Sequence, residues 1–186
     1  MKRAIGITLL SLIALTGIGY AENKSTEEQD FLKRHQLDNK TVQERIEYLD
    51  QLENKRTLSL NASVRSDKLF LSDNTSRFSQ DIDGLFYLSF APYITRTHEC
   101  YYHNLISCQG ELVKQKFSVK ITDDAGNTLV NEEKTSYANG FIGVWLPRNI
   151  KVTLEVQTDG FKGSQTITTD PQSPTCVTTL KLEKKS

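Results

Sequence analysis

The chain has 186 residues, with 23 basic and 23 acidic side chains, three cysteines and one methionine. This length suits one compact domain, or one domain with a small appendage, and it is sufficient for a hydrophobic core. The balanced charge offers no basic surface, so nucleic acid is not expected as a partner.

The N-terminus has the features of a secretory signal peptide. Lys2 and Arg3 precede an apolar run, and Ala21 stands before the charged Glu22. The run is shorter than the roughly 18 to 20 apolar residues that span a bilayer. We therefore predict a signal peptide at 1–21 and an exported mature protein without a membrane segment. Removal of the signal peptide leaves 21 basic and 23 acidic residues, which is a net charge near −2.

Residues 22–83 are predicted to form a small helical N-terminal part that ends in a strand or hairpin. Its first half is polar, with sparse apolar residues at helical spacing, which indicates two short helices. The candidate N-caps are Ser25 or Thr26 for the first helix and Asp38 or Asn39 for the second. So little apolar surface favours docking onto a β domain or onto a second copy of the chain, which would make a homodimer.

Alternating apolar residues then predict β structure. Residues 58–64 and 69–71 indicate a strand or hairpin, 74–83 a polar loop, and 85–94 a buried strand that runs into the cysteine-rich segment. Residues 84–186 are predicted to form a β-rich domain. Its further strands are expected around residues 117–121, 129–130, 141–146, 152–156, 161–168 and 175–182. The predicted fold class is α+β, with the helical part followed by an antiparallel β-sandwich-like domain or a small barrel.

The three cysteines are the most informative feature of this exported chain, because an odd number leaves at least one thiol without a disulfide partner. One short segment carries four side chains that can bind a metal, namely His98, Cys100, His103 and Cys108. Cys176 comes from the far end of the chain, at the start of a predicted strand.

Thiolates with histidine help favour a soft metal, and cuprous copper is the ion that prefers them most clearly. Met1 is lost with the signal peptide, so a thioether copper site is excluded. Our central hypothesis is a cuprous site formed by the three cysteines, with His103 as the first candidate among the histidines and His98 as the second.

Other interpretations of the cysteines stay open. A disulfide between Cys108 and Cys176 would close a loop of about 69 residues, stabilise an exported binding module by about 4 kcal/mol and leave Cys100 free, without any metal. A structural zinc ion could use the three cysteines and His103, although the cysteine spacing lacks the usual zinc-knuckle pattern.

A thiol enzyme is the competing functional class. Cys176 could be a nucleophile that His98 or His103 activates, as in exported Cys–His peptidases and transpeptidases. The sortase-like version also needs an arginine shortly after the cysteine, and only lysines follow here. The copper hypothesis instead predicts no enzyme, with at most a stoichiometric reduction of cupric copper by the thiols.

Several ordered motifs between residues 85 and 182 resemble the CueP family of periplasmic copper-binding proteins, whereas the N-terminal part resembles it only loosely. These motifs are Ala91-Pro92-Tyr93, Thr97-His98-x-Cys100-x-x-His103, Cys108-Gln109-Gly110-Glu111, the run from Asn139 to Arg148, and Thr175-Cys176-Val177-Thr178-Thr179.

The resemblance implies a periplasmic copper-resistance protein that sequesters copper with Cys100, Cys108 and Cys176 as ligands. It also implies that these cysteines reduce cupric to cuprous copper and that a periplasmic disulfide oxidoreductase resets them. A copper-zinc superoxide dismutase as the recipient of the copper, and a V-shaped dimer built through the N-terminal part, are implied in the same way.

Overall fold

The computed structural model describes residues 26–55 and 58–185. The predicted signal peptide at 1–21 and the candidate cap Ser25 lie outside the described residues. The chain divides into two compact units, Met1–Asn39 and Lys40–Ser186. Within the described part, no helix is long and apolar enough to cross a bilayer.

In the first unit, residues 26–34 form helix α1. Gln36 ends this helix with a positive φ of 59°, the left-handed conformation that often terminates helices. The amide of Leu37 donates to the carbonyl of Leu32 at 2.7 Å, and the amide of Gln36 donates to that of Lys33 at 3.1 Å. These two bonds satisfy carbonyls that the helix itself leaves free.

The second unit begins with helix α2, Val42–Gln51, so the prediction of two short helices is confirmed. The predicted caps Asp38 and Asn39 are wrong, because Thr41 is the N-cap. Its side chain accepts from the amide of Glu44 at 3.2 Å, and the Glu44 carboxylate accepts from the amide of Thr41 at 2.7 Å. This reciprocal pair satisfies two free donors, which a single Asp or Asn cap does not achieve.

Twelve strands follow in the described part of the chain. Their bounds are β1 Asn61–Val64, β2 Lys68–Ser72, β3 Arg77–Asp81, β4 Leu85–Phe90, β5 His103–Asn104, β6 Lys116–Asp123, β7 Thr128–Thr135, β8 Ile142–Pro147, β9 Lys151–Thr158, β10 Phe161–Thr168, β11 Cys176–Val177 and β12 Glu183–Lys184. They form three sheets with the strand orders β3-β2-β1-β5, β12-β10-β9-β6-β7 and β11-β4-β8.

The largest core lies between the five-stranded sheet and the sheet β11-β4-β8. Strands β6 and β9 alternate buried apolar with solvent-facing residues, and β4 and β8 contribute buried side chains to the same cluster. Such alternation is typical of a sheet with one face on the core. The predicted α+β class with a β-sandwich-like domain is therefore confirmed.

Two local predictions about strands are wrong. The predicted loop at 74–83 contains β3, an edge strand whose polar side chains carry no apolar alternation, so only its pairing with β2 reveals it. The predicted final strand at 175–182 is a strand over two residues only, β11, which lies parallel to β4; farther along, Lys181 forms one isolated parallel bridge to Tyr93. Sheet β3-β2-β1-β5 contains residues from both sides of the predicted domain boundary at 83/84, and that boundary stays a prediction.

Candidate metal centre

The loop between β4 and β5 is held against the start of β11. Strand β11 lies beside β4, and the amide of Cys176 donates to the carbonyl of Tyr101 at 3.1 Å. The amide of His103 donates to the hydroxyl of Thr175 at 3.0 Å, and this hydroxyl donates to the carbonyl of Val64 at 2.6 Å. The pairing of β11 therefore brings the distant Cys176 to the cysteine-rich segment.

The three sulfur atoms converge. Cys100 and Cys176 form a disulfide, with 5.6 Å between their Cα atoms, and Cys108 is a free cysteine whose Sγ lies 3.5 Å from Sγ of Cys100. The alternative Cys108–Cys176 disulfide with Cys100 free is thus wrong in its pairing. The physical reason is that the loop is hydrogen-bonded, at the carbonyl of Tyr101, directly to the backbone amide of Cys176.

A tight turn places Cys108. The amide of Asn104 donates to Sγ of Cys108 at 3.3 Å, and the amide of Cys108 donates back to the carbonyl of Asn104 at 3.1 Å. Two residues later, the amide of Gly110 donates to the carbonyl of Asn139 at 2.6 Å. A Cβ atom at Gly110 would lie 2.7 Å from the carbonyl oxygen of Gly140, so this close backbone contact requires glycine.

The two candidate histidines both lie near Cys108, but they differ in burial. His103 is fully buried, and its ring packs against Phe141 with 4.5 Å between the ring centroids. Its Nδ1 lies 3.7 Å from Sγ of Cys176. His98 is exposed, and it borders a cavity of about 310 Å³ that Cys100 also lines. Solvent therefore reaches Cys100 from the side of His98.

The candidate ligand atoms form two groups that share Cys108. The ligand atoms of His103, Cys108 and Cys176 all lie within 4.8 Å of one another, and so do those of His98, Cys100 and Cys108. All five residues predicted from the sequence are thus brought together. Up to three sulfur atoms and an imidazole nitrogen form a donor set that suits a soft metal ion.

Asp50 is the residue of this region that the sequence analysis missed. It lies on α2, is fully buried, and its Oδ1 accepts from Nε2 of His103 at 2.9 Å. A signal was available, because Asp50 follows Ile46 by four residues and so falls on the apolar face of the helix. A carboxylate on that face must find buried hydrogen-bond partners.

The charges of this cluster shift several pKa values. Burial alone lowers the pKa of His103, but the charge and hydrogen bond of Asp50 outweigh it and raise the pKa to about 9. Burial raises the pKa of Asp50, and His103 with Lys55 overcome this and lower it to about 2. Burial lowers the pKa of Lys55 to about 8, against the charge of Asp50. The ion pair of Asp50 with His103 is thus the dominant electrostatic interaction.

These shifts predict that the disulfide-bonded protein loses stability between pH 6.5 and 8. In this window the unfolded chain releases the His103 proton, whereas the folded chain keeps it, because its pKa is about 9. The free energy of unfolding then falls as the pH rises, by up to about 2 kcal/mol. Lys55, with its pKa lowered to about 8, opposes this trend only above that pH.

Urea unfolding at pH 6.5 and at pH 8 measures this loss. The His103→Gln variant is the control, since it lacks the group that titrates and is expected to show a smaller decline. An equal decline in the variant and the parent would assign the effect to another group.

The chain is similar to known copper-binding proteins. The family model described as "Periplasmic copper-binding protein CueP" matches residues 44–181. The crystal structure of S.CueP shares 46% sequence identity with the chain, covers 84% of this chain and 97% of its own, and superposes with a TM-score of 0.81. No curated protein sequence matches the chain.

Proposed function

The chain belongs to the CueP family of periplasmic copper-binding proteins, and from this premise we propose that it sequesters cuprous copper through cysteine thiolates and so confers copper resistance. One observation carries the proposal: Cys100, Cys108 and Cys176, which span 76 residues of sequence, place their sulfur atoms at one point beside His103. We propose the three thiolates and Nδ1 of His103 as the ligands of the reduced chain, with His98 as an outer ligand.

The preference for the cuprous state follows from the donor atoms. Thiolates are soft ligands, and cuprous copper accepts low coordination numbers with such ligands more readily than cupric copper does. Cys176 and His103 are buried, whereas Cys100 and Cys108 are half-buried and His98 is exposed. Copper would enter from the His98 side and reach the buried pair last.

The same thiols can reduce cupric copper. Oxidation of the thiols of Cys100 and Cys176 forms one S–S bond, releases two protons to solvent and transfers two electrons, so two cupric ions become two cuprous ions. Such a step would yield the disulfide that joins these two residues in the structure. Cys108 keeps its thiol and stays available to hold a cuprous ion, with His103 beside it.

Three further properties are proposed on the family resemblance. A periplasmic disulfide oxidoreductase would reduce the Cys100–Cys176 disulfide, and the cavity beside Cys100 leaves this sulfur accessible to it. A copper-zinc superoxide dismutase is proposed as a recipient of the copper. A homodimer through the N-terminal part stays a prediction as well.

The competing functions make different demands. A thiol enzyme would use Cys176 as its nucleophile, but this side chain is 2% exposed and bound in a disulfide. We therefore propose stoichiometric copper chemistry without catalysis. A disulfide-stabilised module without metal requires only the Cys100–Cys176 bond, and it assigns no role to Cys108 or His103.

Competition with a cuprous chelator tests the proposed function. Fully reduced protein is titrated against the chelator's cuprous complex without oxygen, and the disulfide-bonded protein is the matched control. We expect the reduced protein to withdraw the copper, and the oxidised protein to withdraw it much less, because it lacks two thiolates. Failure of the reduced protein to compete would favour the metal-free module.

The redox step predicts a fixed stoichiometry. Cupric ions added to fully reduced protein without oxygen should yield two cuprous ions for each disulfide formed. Alkylation followed by peptide mass spectrometry should locate the disulfide at Cys100–Cys176 and the free thiol at Cys108. The Cys108→Ser variant should keep this stoichiometry and Cys100→Ser should lose it; a disulfide that includes Cys108 in the parent protein would contradict the assignment.

A further inference from the structure

The carboxylate of Asp50 is held by four hydrogen-bond donors in addition to its contact with Lys55. Its Oδ1 accepts from Nε2 of His103 and from Nδ2 of Asn139, both at 2.9 Å. Its Oδ2 accepts from the hydroxyl of Tyr87 at 2.7 Å and from that of Ser89 at 3.3 Å. Since both oxygens are engaged and the side chain is fully buried, the carboxylate cannot rotate without breaking several bonds.

This arrangement decides which nitrogen of His103 faces the sulfur atoms. An ionised carboxylate only accepts hydrogen bonds, so Nε2 of His103 must carry a proton. Nδ1, on the other edge of the ring, points to Sγ of Cys176 at 3.7 Å. We infer that Asp50 is a positioning residue that orients His103 so that Nδ1 is presented to cuprous copper. The inference rests on the proposed copper site.

If Asp50 served only to stabilise the fold, its carboxylate would be expected to pair with Lys55 and not with His103. The Lys55 ammonium lies 3.7 Å from Oδ1 of Asp50, farther than Nε2 of His103. That ammonium also donates to the backbone carbonyls of Asp50 at 2.6 Å and of Leu105 at 2.8 Å. The closest cationic group to the carboxylate is therefore the His103 ring, and outer partners of this kind commonly fix the orientation of a ligating histidine.

The Asp50→Asn variant tests this role. An amide can turn its NH2 group toward Nε2 of His103, which would move the imidazole proton to Nδ1 and block it as a ligand. We expect the cuprous affinity of the reduced protein, measured by chelator competition, to fall about 10-fold to 100-fold. Asp123→Asn is the matched control, because it makes the same change from carboxylate to amide at the end of β6, where the carboxylate accepts from Asn127 and not from His103. It should keep the parent affinity; a loss equal to that of Asp50→Asn would overturn the inference in favour of a structural role.

A double-mutant comparison separates positioning from general damage. If Asp50 acts only through His103, then Asp50→Asn introduced into His103→Ala should weaken cuprous binding no further. Additive losses would show that Asp50 acts by another route and would overturn the inference. Parent protein that binds no cuprous ion would overturn the proposed function itself, which is a distinct result.

A spectroscopic measurement avoids any variant that does not fold. Nitrogen-15 NMR of the parent protein loaded with cuprous ion should show the His103 proton on Nε2 and the metal on Nδ1. Metal on Nε2, or a His103 ring without metal, would contradict the inference.

Discussion

Replacing Cys176 with serine is expected to weaken cuprous binding by more than about 100-fold, since loss of an outer partner alone commonly costs 10-fold to 100-fold. Cys176 supplies a sulfur atom that lies 3.7 Å from Nδ1 of His103, and it is the most deeply buried of the three cysteines. A serine hydroxyl is a hard ligand that a soft ion does not accept in place of a thiolate. Chelator competition on fully reduced proteins measures the loss without any contribution from the disulfide.

Thr178→Val is the matched control for this variant. Thr178 is buried two residues beyond Cys176, and within the described part of the chain its hydroxyl has no hydrogen-bond partner. Valine has nearly the same shape and removes this unsatisfied group, so folding should be unchanged or slightly more stable. Cuprous affinity should stay at the parent value. An unchanged affinity in Cys176→Ser would remove this residue from the site.

Gly140→Ala is expected to destabilise the protein by about 2 to 5 kcal/mol. Gly140 has a φ of +78°, which costs any L side chain energy, and its added Cβ would lie 2.8 Å from backbone atoms of Gly110. Backbone cannot move aside as a flexible side chain does. Because Gly110 follows Cys108 by two residues, the displacement should also reduce cuprous affinity.

Comparison with Gly160→Ala separates the steric effect of the added Cβ from the effect of the backbone conformation. Gly160 has a similar φ of +72°, but a Cβ there meets no atom within 4 Å. Its loss of stability should be limited to the backbone conformation, about 1 to 2 kcal/mol, with cuprous affinity unchanged. Urea unfolding of both variants measures the difference. Equal losses of stability in the two variants would mean that the backbone at Gly110 and Gly140 accommodates the added Cβ without a loss of free energy.

The local patterns of the sequence predicted much of the fold. Alternation at Phe117, Val119 and Ile121 marks β6 because every second residue of a strand faces the same side. Apolar residues at helical spacing likewise predicted α2, because such residues lie on one face of a helix. The edge strand β3 was not predicted, because its residues show no alternation of apolar and polar side chains. Its structure depends on pairing with β2.

The kinds of atoms available to a metal were determined by the sequence alone: three thiols, two nearby imidazoles and no thioether outside the predicted signal peptide. The tertiary structure decided which thiols pair. It also decided which edge of the His103 ring faces them and which carboxylate holds that ring. The pairing of β11 with β4 and the burial of α2 bring Cys176 and Asp50 to the loop from opposite ends of the chain. Distances between such remote residues depend on how sheets and helices pack, and no local periodicity encodes them.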